Sequence, residues 1–418
     1  MAASLGIQSA LAWLLGPAGR GSYAVCILFA MILGVVFTLS VDRAGQYFVA
    51  SGRTPVADGV VAALFTALVG SLVGVAVGYA LIGTAAEFFA KASTTSFRLS
   101  LILVPLNVLS DSLVLLLMGI KRFGWMSRVV ITRVLVHLGA TLVLVWGFGL
   151  GVPGALAALM LGNFVAILVG VSFLRRGFDF SESRLNLRYC SAMLSYGARY
   201  WVANLSNHVH FRIGTIVLAW FVSSAEIGLF AAASGLVARV LMVPDAIEGA
   251  LLPRVATDPQ GRPELVARVA RLSFLVCGLL LVAVVIVSKS LVVVLFSRSF
   301  LPAVPLIGII ALGVFLRSGS KVLMPYFMGV DRPAVCSWAV GLATVVNLGV
   351  LLLLLPVMGL PGAAWAMTTG YVVSTLVLAV AFRRASGMGF TETWLPRRGD
   401  ASFLLDLVRS SMRRSRAA

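Results

Sequence analysis

Residues 151–176 read GVPGALAALMLGNFVAILVGVSFLRR. No charge interrupts Gly151 to Leu174, and Arg175 and Arg176 then close the stretch. At ~1.5 Å per residue, a helix of that length covers a hydrocarbon core of ~30 Å. The arginines suit a water-facing end. The pattern recurs at 359–384 as GLPGAAWAMTTGYVVSTLVLAVAFRR. Pro153-Gly154-Ala155 align with Pro361-Gly362-Ala363, Gly162, Val165, Leu168 and Val169 with Gly370, Val373, Leu376 and Val377, and Arg175-Arg176 with Arg383-Arg384. All these pairs share one offset, about half the chain. Met118-Gly119 against Met328-Gly329, and Gly21-Ser22-Tyr23-Ala24 against Gly228-Leu229-Phe230-Ala231, fall at nearly the same offset. Transporters are often built from two such halves.

The rest of the chain has the same character. Its 418 residues are 60% hydrophobic and 11% charged, with a mean hydropathy of +1.03, whereas soluble domains carry roughly 25% charged residues. No soluble fold buries that much apolar surface. About twelve spans are predicted, at roughly 2–16, 22–45, 59–83, 97–119, 127–150, 153–174, 196–221, 227–252, 268–288, 302–328, 334–356 and 360–382. The fold class is therefore an all-α membrane protein of about twelve transmembrane helices. Copies an even number of spans apart share one orientation, giving two six-helix lobes related by a pseudo-two-fold along the membrane normal.

The net charge of +18 is read as topology. Basic residues follow the even-numbered spans, while the connections near 150, 224 and 358 have no Lys or Arg. The positive-inside rule then makes both termini cytoplasmic in a multi-pass inner-membrane protein. No basic groove of soluble length points to nucleic acid. Cys26, Cys190, Cys277 and Cys336 form no CxxC pair for metal or redox work. The N-terminus has no basic n-region or small-residue cleavage site and opens on a short first span.

Four regions follow: an N-terminal lobe at 1–176, a basic amphipathic cytoplasmic linker at 177–195, a C-terminal lobe at 196–384 and a basic tail with an amphipathic helix at 385–418. Linker and tail set aromatic and aliphatic residues among arginines, a composition that binds anionic lipid headgroups.

Several short motifs resemble the Wzx-type polysaccharide flippases of the multidrug/oligosaccharidyl-lipid/polysaccharide exporter superfamily. They are Leu15-Gly16-Pro17-Ala18-Gly19-Arg20-Gly21-Ser22-Tyr23-Ala24, Asp42-Arg43, Phe211-Arg212, Ile227-Gly228-Leu229-Phe230-Ala231, Leu251-Leu252-Pro253-Arg254-Val255 and Pro361-Gly362-Ala363-Ala364. In order and spacing they cover almost the whole chain. The resemblance implies a two-lobed transporter, not an enzyme and without a cofactor. It would carry an undecaprenyl-diphosphate-linked glycan repeat unit to the outer leaflet by alternating access through a cationic central cavity. It also implies a monomer that works beside polysaccharide polymerase or assembly machinery. The chain departs from the family in its short first span and in Gly214, where an acidic residue often stands two positions after the equivalent of Arg212.

Ionisable groups inside spans cost at least ~2.5–3.5 kcal/mol at the bilayer centre, so they mark interiors and wet cavities. Arg212, Arg239, Arg317 and Lys321 lie well inside spans of the second half, and Arg133 in the fifth span. With Asn204, Asn207 and His208 they are the candidate binders of diphosphate and sugar, because arginine replaces lost phosphate hydration with charge-assisted hydrogen bonds. The alternative is that these cations pair with Asp111, Asp245 or Glu248, or snorkel to an interface. Asp42, Arg43, Asp111 and Glu248 are candidates for a gate or for ion coupling, and Asp111 equally suits a structural partner for a nearby cation. A drug or cation exporter, expected to be carboxylate-rich, a peptidoglycan-precursor flippase and a membrane glycan polymerase or ligase remain as other readings. The outward connections, of about a dozen residues or fewer, leave little room for a polymerase's catalytic loop.

Overall fold

A computed structural model describes residues 2–82, 91–181, 183–256, 263–330 and 332–395. The basic tail beyond 395 lies outside the described residues. The chain forms two compact units, Met1–Ala231 with Val293–Phe300, and Ala232–Val292 with Leu301–Ala418.

In the first unit, α1 (Ala2–Phe37) is broken at Gly16, which has φ 64° and ψ −177°, immediately before Pro17. Glycine takes positive φ without a Cβ clash, and proline at the next position restarts a helix. The expected connection between residues 16 and 22 is therefore absent, and two helical segments meet within one residue. The next span is also divided. Leu39 and Ser40 adopt φ of 50° and 55° between α1 and α2 (Val41–Ala50). There follow α3 (Val56–Ile82), α4 (Thr94–Gly119), α5 (Phe123–Thr141) with a π-helical turn at Leu142–Gly147, and α6 (Gly151–Gly177). After an irregular connection come α7 (Leu187–Phe221) and α8 (Ser224–Ala238), whose last residues enter the second unit.

The second unit continues through a 3₁₀ turn at Arg239–Leu241 into α9 (Met242–Ala256), α10 (Pro263–Ile286) and the start of α11 (Ser288–Phe296), whose residues from Val293 belong to the first unit. Then come α12 (Val304–Gly329), α13 (Pro333–Met358), α14 (Leu360–Ser386) and the short α15 (Phe390–Trp394). Ten helical stretches among the described residues are long and apolar enough to cross a bilayer. The polar α7, with Asn204, Asn207, His208, His210 and Arg212, is not among them.

The internal repeat reappears as packing. In the first unit α5 and α4 pack on α6, and α3 and α2 on α4. In the second, α13 and α12 pack on α14, and α10 and α9 on α12. Core residues correspond as well. Leu113, Leu116, Leu117, Val129 and Leu174 fill the first core, and Leu323, Tyr326, Phe327, Ala339 and Phe382, at the register-equivalent positions, fill the second. Gly162 and Gly370 show why the motif carries glycine. A Cβ at Gly162 would stand 2.9 Å from the Arg133 carbonyl oxygen on α5, and one at Gly370 would stand 3.2 Å from the Ala343 carbonyl on α13. Small residues at these crossings let the backbones approach, which drives helix association where lipid removes the hydrophobic incentive.

Candidate functional site

In the second unit α12 carries two cations inside the protein, the buried Arg317 and the half-buried Lys321. Arg317 and Lys321 stand one turn apart and so share a face. Arg317 is 4% exposed, and its guanidinium lies 4.9 Å from the ring centroid of Tyr371 on α14. A flat cation over an aromatic face keeps part of its electrostatic stabilisation when water is removed. The Thr375 hydroxyl donates to Ser320 Oγ at 3.0 Å, and Ser320 Oγ donates to the Arg317 carbonyl at 3.0 Å. Lys321 forms an ion pair with Asp245 on α9. Glu248, three residues further along α9, lies within electrostatic reach of Arg317. The cationic groups thus face carboxylates and an aromatic ring, while the hydroxyls hold the α12 backbone at Arg317.

The first unit has its own polar cluster. Arg133 on α5 donates to Asp111 Oδ1 at 2.6 Å and to Ser110 Oγ at 3.4 Å. Asp42, in the first turn of α2, interacts electrostatically with Asp111 and with its neighbour Arg43. Deeper in the unit, Asn163 Nδ2 donates to Asn107 Oδ1 at 2.8 Å, and the Tyr23 hydroxyl stands 3.5 Å from His137 Nε2. Asn204 Nδ2 donates to Ser40 Oγ at 2.9 Å, which ties α7 to the left-handed turn before α2.

These two clusters occupy equivalent positions of the repeat. In the register that aligns Met118 with Met328, Ser110 aligns with Ser320, Asn107 with Arg317 and Asp111 with Lys321. Asn163 aligns with Tyr371 in the register of α6 and α14. The same helical seam therefore carries an amide and a carboxylate in one unit and two cations in the other. Asn107, Asn163 and Tyr371 are further candidates that a search for intramembrane charges passes over. The repeat register, extended from Met118 back to Asn107, points to them.

The remaining candidates are more dispersed. Arg212 on α7 belongs to the first unit and is exposed, as is Arg43. Arg239 is half-buried in the 3₁₀ turn that packs against α12. The side chains of Asn207 and His208 lie outside the described residues. The exposed Asp111–Arg133 pair, with side chains 60% and 27% accessible, is a modest structural contact. We expect Asp111→Asn to lower thermal stability by about 1 kcal/mol or less. Arg133→Gln should add little to that variant, because the partner is already gone. A double-mutant melting series checks both.

The family model described as polysaccharide biosynthesis protein matches residues 3–257, more than half of the chain. The chain belongs to this family. The fold of this polysaccharide biosynthesis protein also matches solved structures over nearly its full length. An inward-facing multidrug resistance MATE family transporter of the MOP superfamily superposes with a TM-score of 0.71 at 14% identity, covering 92% of this chain and 95% of that one. The lipid II flippase MurJ in an inward closed conformation gives 0.74 at 13% identity, covering 92% and 88%. The Vibrio cholerae MATE transporter VcmN in its bent form gives 0.55 at 14% identity, covering 93% and 98%. No curated protein matches the chain. Family and apolar helices together make it a multi-pass membrane protein of the polysaccharide biosynthesis family, with a fold shared by those solved transporters.

Proposed function

We propose that this protein flips a polyprenyl-diphosphate-linked glycan repeat unit, with undecaprenyl as the lipid, from the cytoplasmic to the outer leaflet of the bacterial inner membrane. The observation that carries the reading is the pair of buried Arg317 and half-buried Lys321 on α12, in a chain of the polysaccharide biosynthesis family. A diphosphate leaving water must exchange its hydration for charge-assisted hydrogen bonds. Arg317 offers a planar fork of donors, and Lys321 a mobile ammonium released from Asp245 as the anion arrives. Carboxylates at Asp245 and Glu248 hold the empty site neutral, so that binding exchanges one ion pair for another and does not leave a bare charge buried.

Arg212 and Arg239 add cationic contacts along the path, and Asn204, Asn207 and His208 donate to sugar hydroxyls. Arg133, freed from Asp111, serves the same path in the first unit, with Asp42, Arg43, Asp111 and Glu248 as the groups that gate or couple. Transport runs by alternating access without a chemical step. Both termini face the cytoplasm, where the basic linker and tail hold anionic lipid, and the glycan polymerase works downstream on the outer side. A drug exporter would favour anionic residues at the α12 positions, and the two cations there argue against it. The test is a deletion strain. It should accumulate lipid-linked repeat units in the cytoplasmic leaflet and lose surface polysaccharide. Unchanged surface polysaccharide in a strain without a second such transporter overturns the reading.

A further inference from the structure

At the basic end of α12, α13 and α14, a groove of ≈ 540 Å³ opens on the outer surface of the second unit. Its walls are Val335, Leu376, Val377 and Val380, and Arg332 and Arg384 stand in its lining. Leu376 and Val380 are 56% and 39% exposed, as residues facing lipid are. No acidic residue is among the groove's described lining residues. The neighbouring Arg383 turns elsewhere, its guanidinium 5.3 Å from the ring centroid of Phe390 on α15.

The repeat provides an internal control. Arg122 aligns with Arg332, and Arg176 with Arg384, so the first unit has the same two cations at the same helix ends. There, however, the groove positions are filled. Trp125 aligns with Val335 and Phe173 with Ala381, and these two rings stack with centroids 5.6 Å apart and planes at 20°. Arg122 lies 4.9 Å over the Trp125 ring, and Arg175 and Arg176 share their surface with Asp179, whose carboxylate accepts the Ser181 N–H at 2.8 Å. That hydrogen bond holds the Asp179 carboxyl below the usual carboxylate range, so it stays ionised beside the arginines. One copy of the duplicated site is filled by aromatic rings, and the other is open.

We propose that the Arg332/Arg384 groove is a binding site for one anionic phospholipid, its phosphate on the two arginines and an acyl chain along α13 and α14. Charge and shape agree on this occupant. Two guanidinium groups beside an apolar channel suit a phosphodiester joined to a hydrocarbon chain, whereas a small soluble anion would leave the apolar walls unused. The site is distinct from the α12 cations assigned to the transported glycan, and its occupancy does not rest on that assignment.

Native mass spectrometry of the purified full-length protein tests it, with phosphatidylglycerol, phosphatidylcholine and undecaprenyl diphosphate offered in turn. One phosphatidylglycerol per chain should be retained in preference to phosphatidylcholine. The double variant Arg332→Gln/Arg384→Gln should weaken retention by about tenfold or more. The double variant Val335→Trp/Ala381→Phe, which rebuilds the ring plug of the first unit and keeps both charges, should do the same. Because one variant removes charge and the other fills space, their agreement reports on the groove and not on misfolding. Equal retention of the two phospholipids, or wild-type retention in either variant, overturns the proposal. Undecaprenyl diphosphate displacing equimolar phosphatidylglycerol also overturns it, since the groove would then receive the glycan carrier. Lipid retention is read without a transport assay, so its failure leaves the flippase reading standing.

Discussion

Replacing Arg317 by alanine is expected to reduce glycan export by about tenfold to a hundredfold while the protein still inserts in the membrane. A hydrogen bond to a charged group contributes about 1.5–3 kcal/mol, and at 1.4 kcal/mol per factor of ten this sets the range. The substitution also leaves the face of Tyr371 without its cation and removes the positive charge that acts on Glu248. Arg317→Lys separates the two contributions. It keeps the charge but loses the planar fork and its stacking, so it should recover part of the export lost in Arg317→Ala. Export of repeat units in cells, normalised to the amount of protein in the membrane, is the measurement. Full export by Arg317→Ala would remove this residue from the transport path.

The second large effect concerns the contact between α1 and α8. A Cβ at Gly21 would fall onto the Ser224 carbonyl and 2.9 Å from the Gly228 nitrogen, and one at Gly228 would fall onto the Pro17 carbonyl and 3.1 Å from the Gly21 nitrogen. Backbone faces backbone there, so no neighbouring side chain can rotate away to admit a methyl group. Gly21→Leu or Gly228→Leu must separate the helices, at a cost at or above the upper end of the roughly 1–3 kcal/mol usual for overpacking. We expect both variants to aggregate on extraction or to melt well below the wild type. Gly235→Ala on the same helix α8 is the contrast, since no atom lies within 4 Å of the added Cβ. That change should be neutral or slightly stabilising, as alanine is the better helix former. Thermal melting and size-exclusion profiles of the three variants decide the matter.

The Gly21 and Gly228 contact also shows what the amino-acid sequence revealed and what it concealed. Their motifs are legible as a repeat, yet nothing in the strings indicates that the two copies lie on one another. The helix break at Gly16-Pro17 is legible as chemistry, because one residue tolerates positive φ and the next has no N–H. The join between the first two helices is less legible, since a polar-looking Gly-Arg-Gly-Ser stretch at 19–22 is helical. Helix rotation was the hardest feature to read. A membrane helix such as α3 is apolar on all sides, and lipid is as apolar as a protein core, so periodicity does not separate buried from lipid-facing residues. Candidate pairings therefore stayed open. Asp111 could have met any nearby cation, and it meets Arg133; Asp245 meets Lys321. The repeat register is the signal that links the two clusters, because Asn107 and Asp111 fall where Arg317 and Lys321 stand.

We propose that this protein moves an anionic lipid-linked glycan and that the α12 cations recognise its diphosphate. Purified protein reconstituted into liposomes with a labelled undecaprenyl-diphosphate oligosaccharide tests it most directly, with the label exposed to a membrane-impermeant quencher. Wild-type protein should expose label from the inner leaflet at a rate that falls by about tenfold or more in Arg317→Ala. Wild-type liposomes that expose no more label than empty ones, or an Arg317→Ala protein that matches the wild type, would contradict the account.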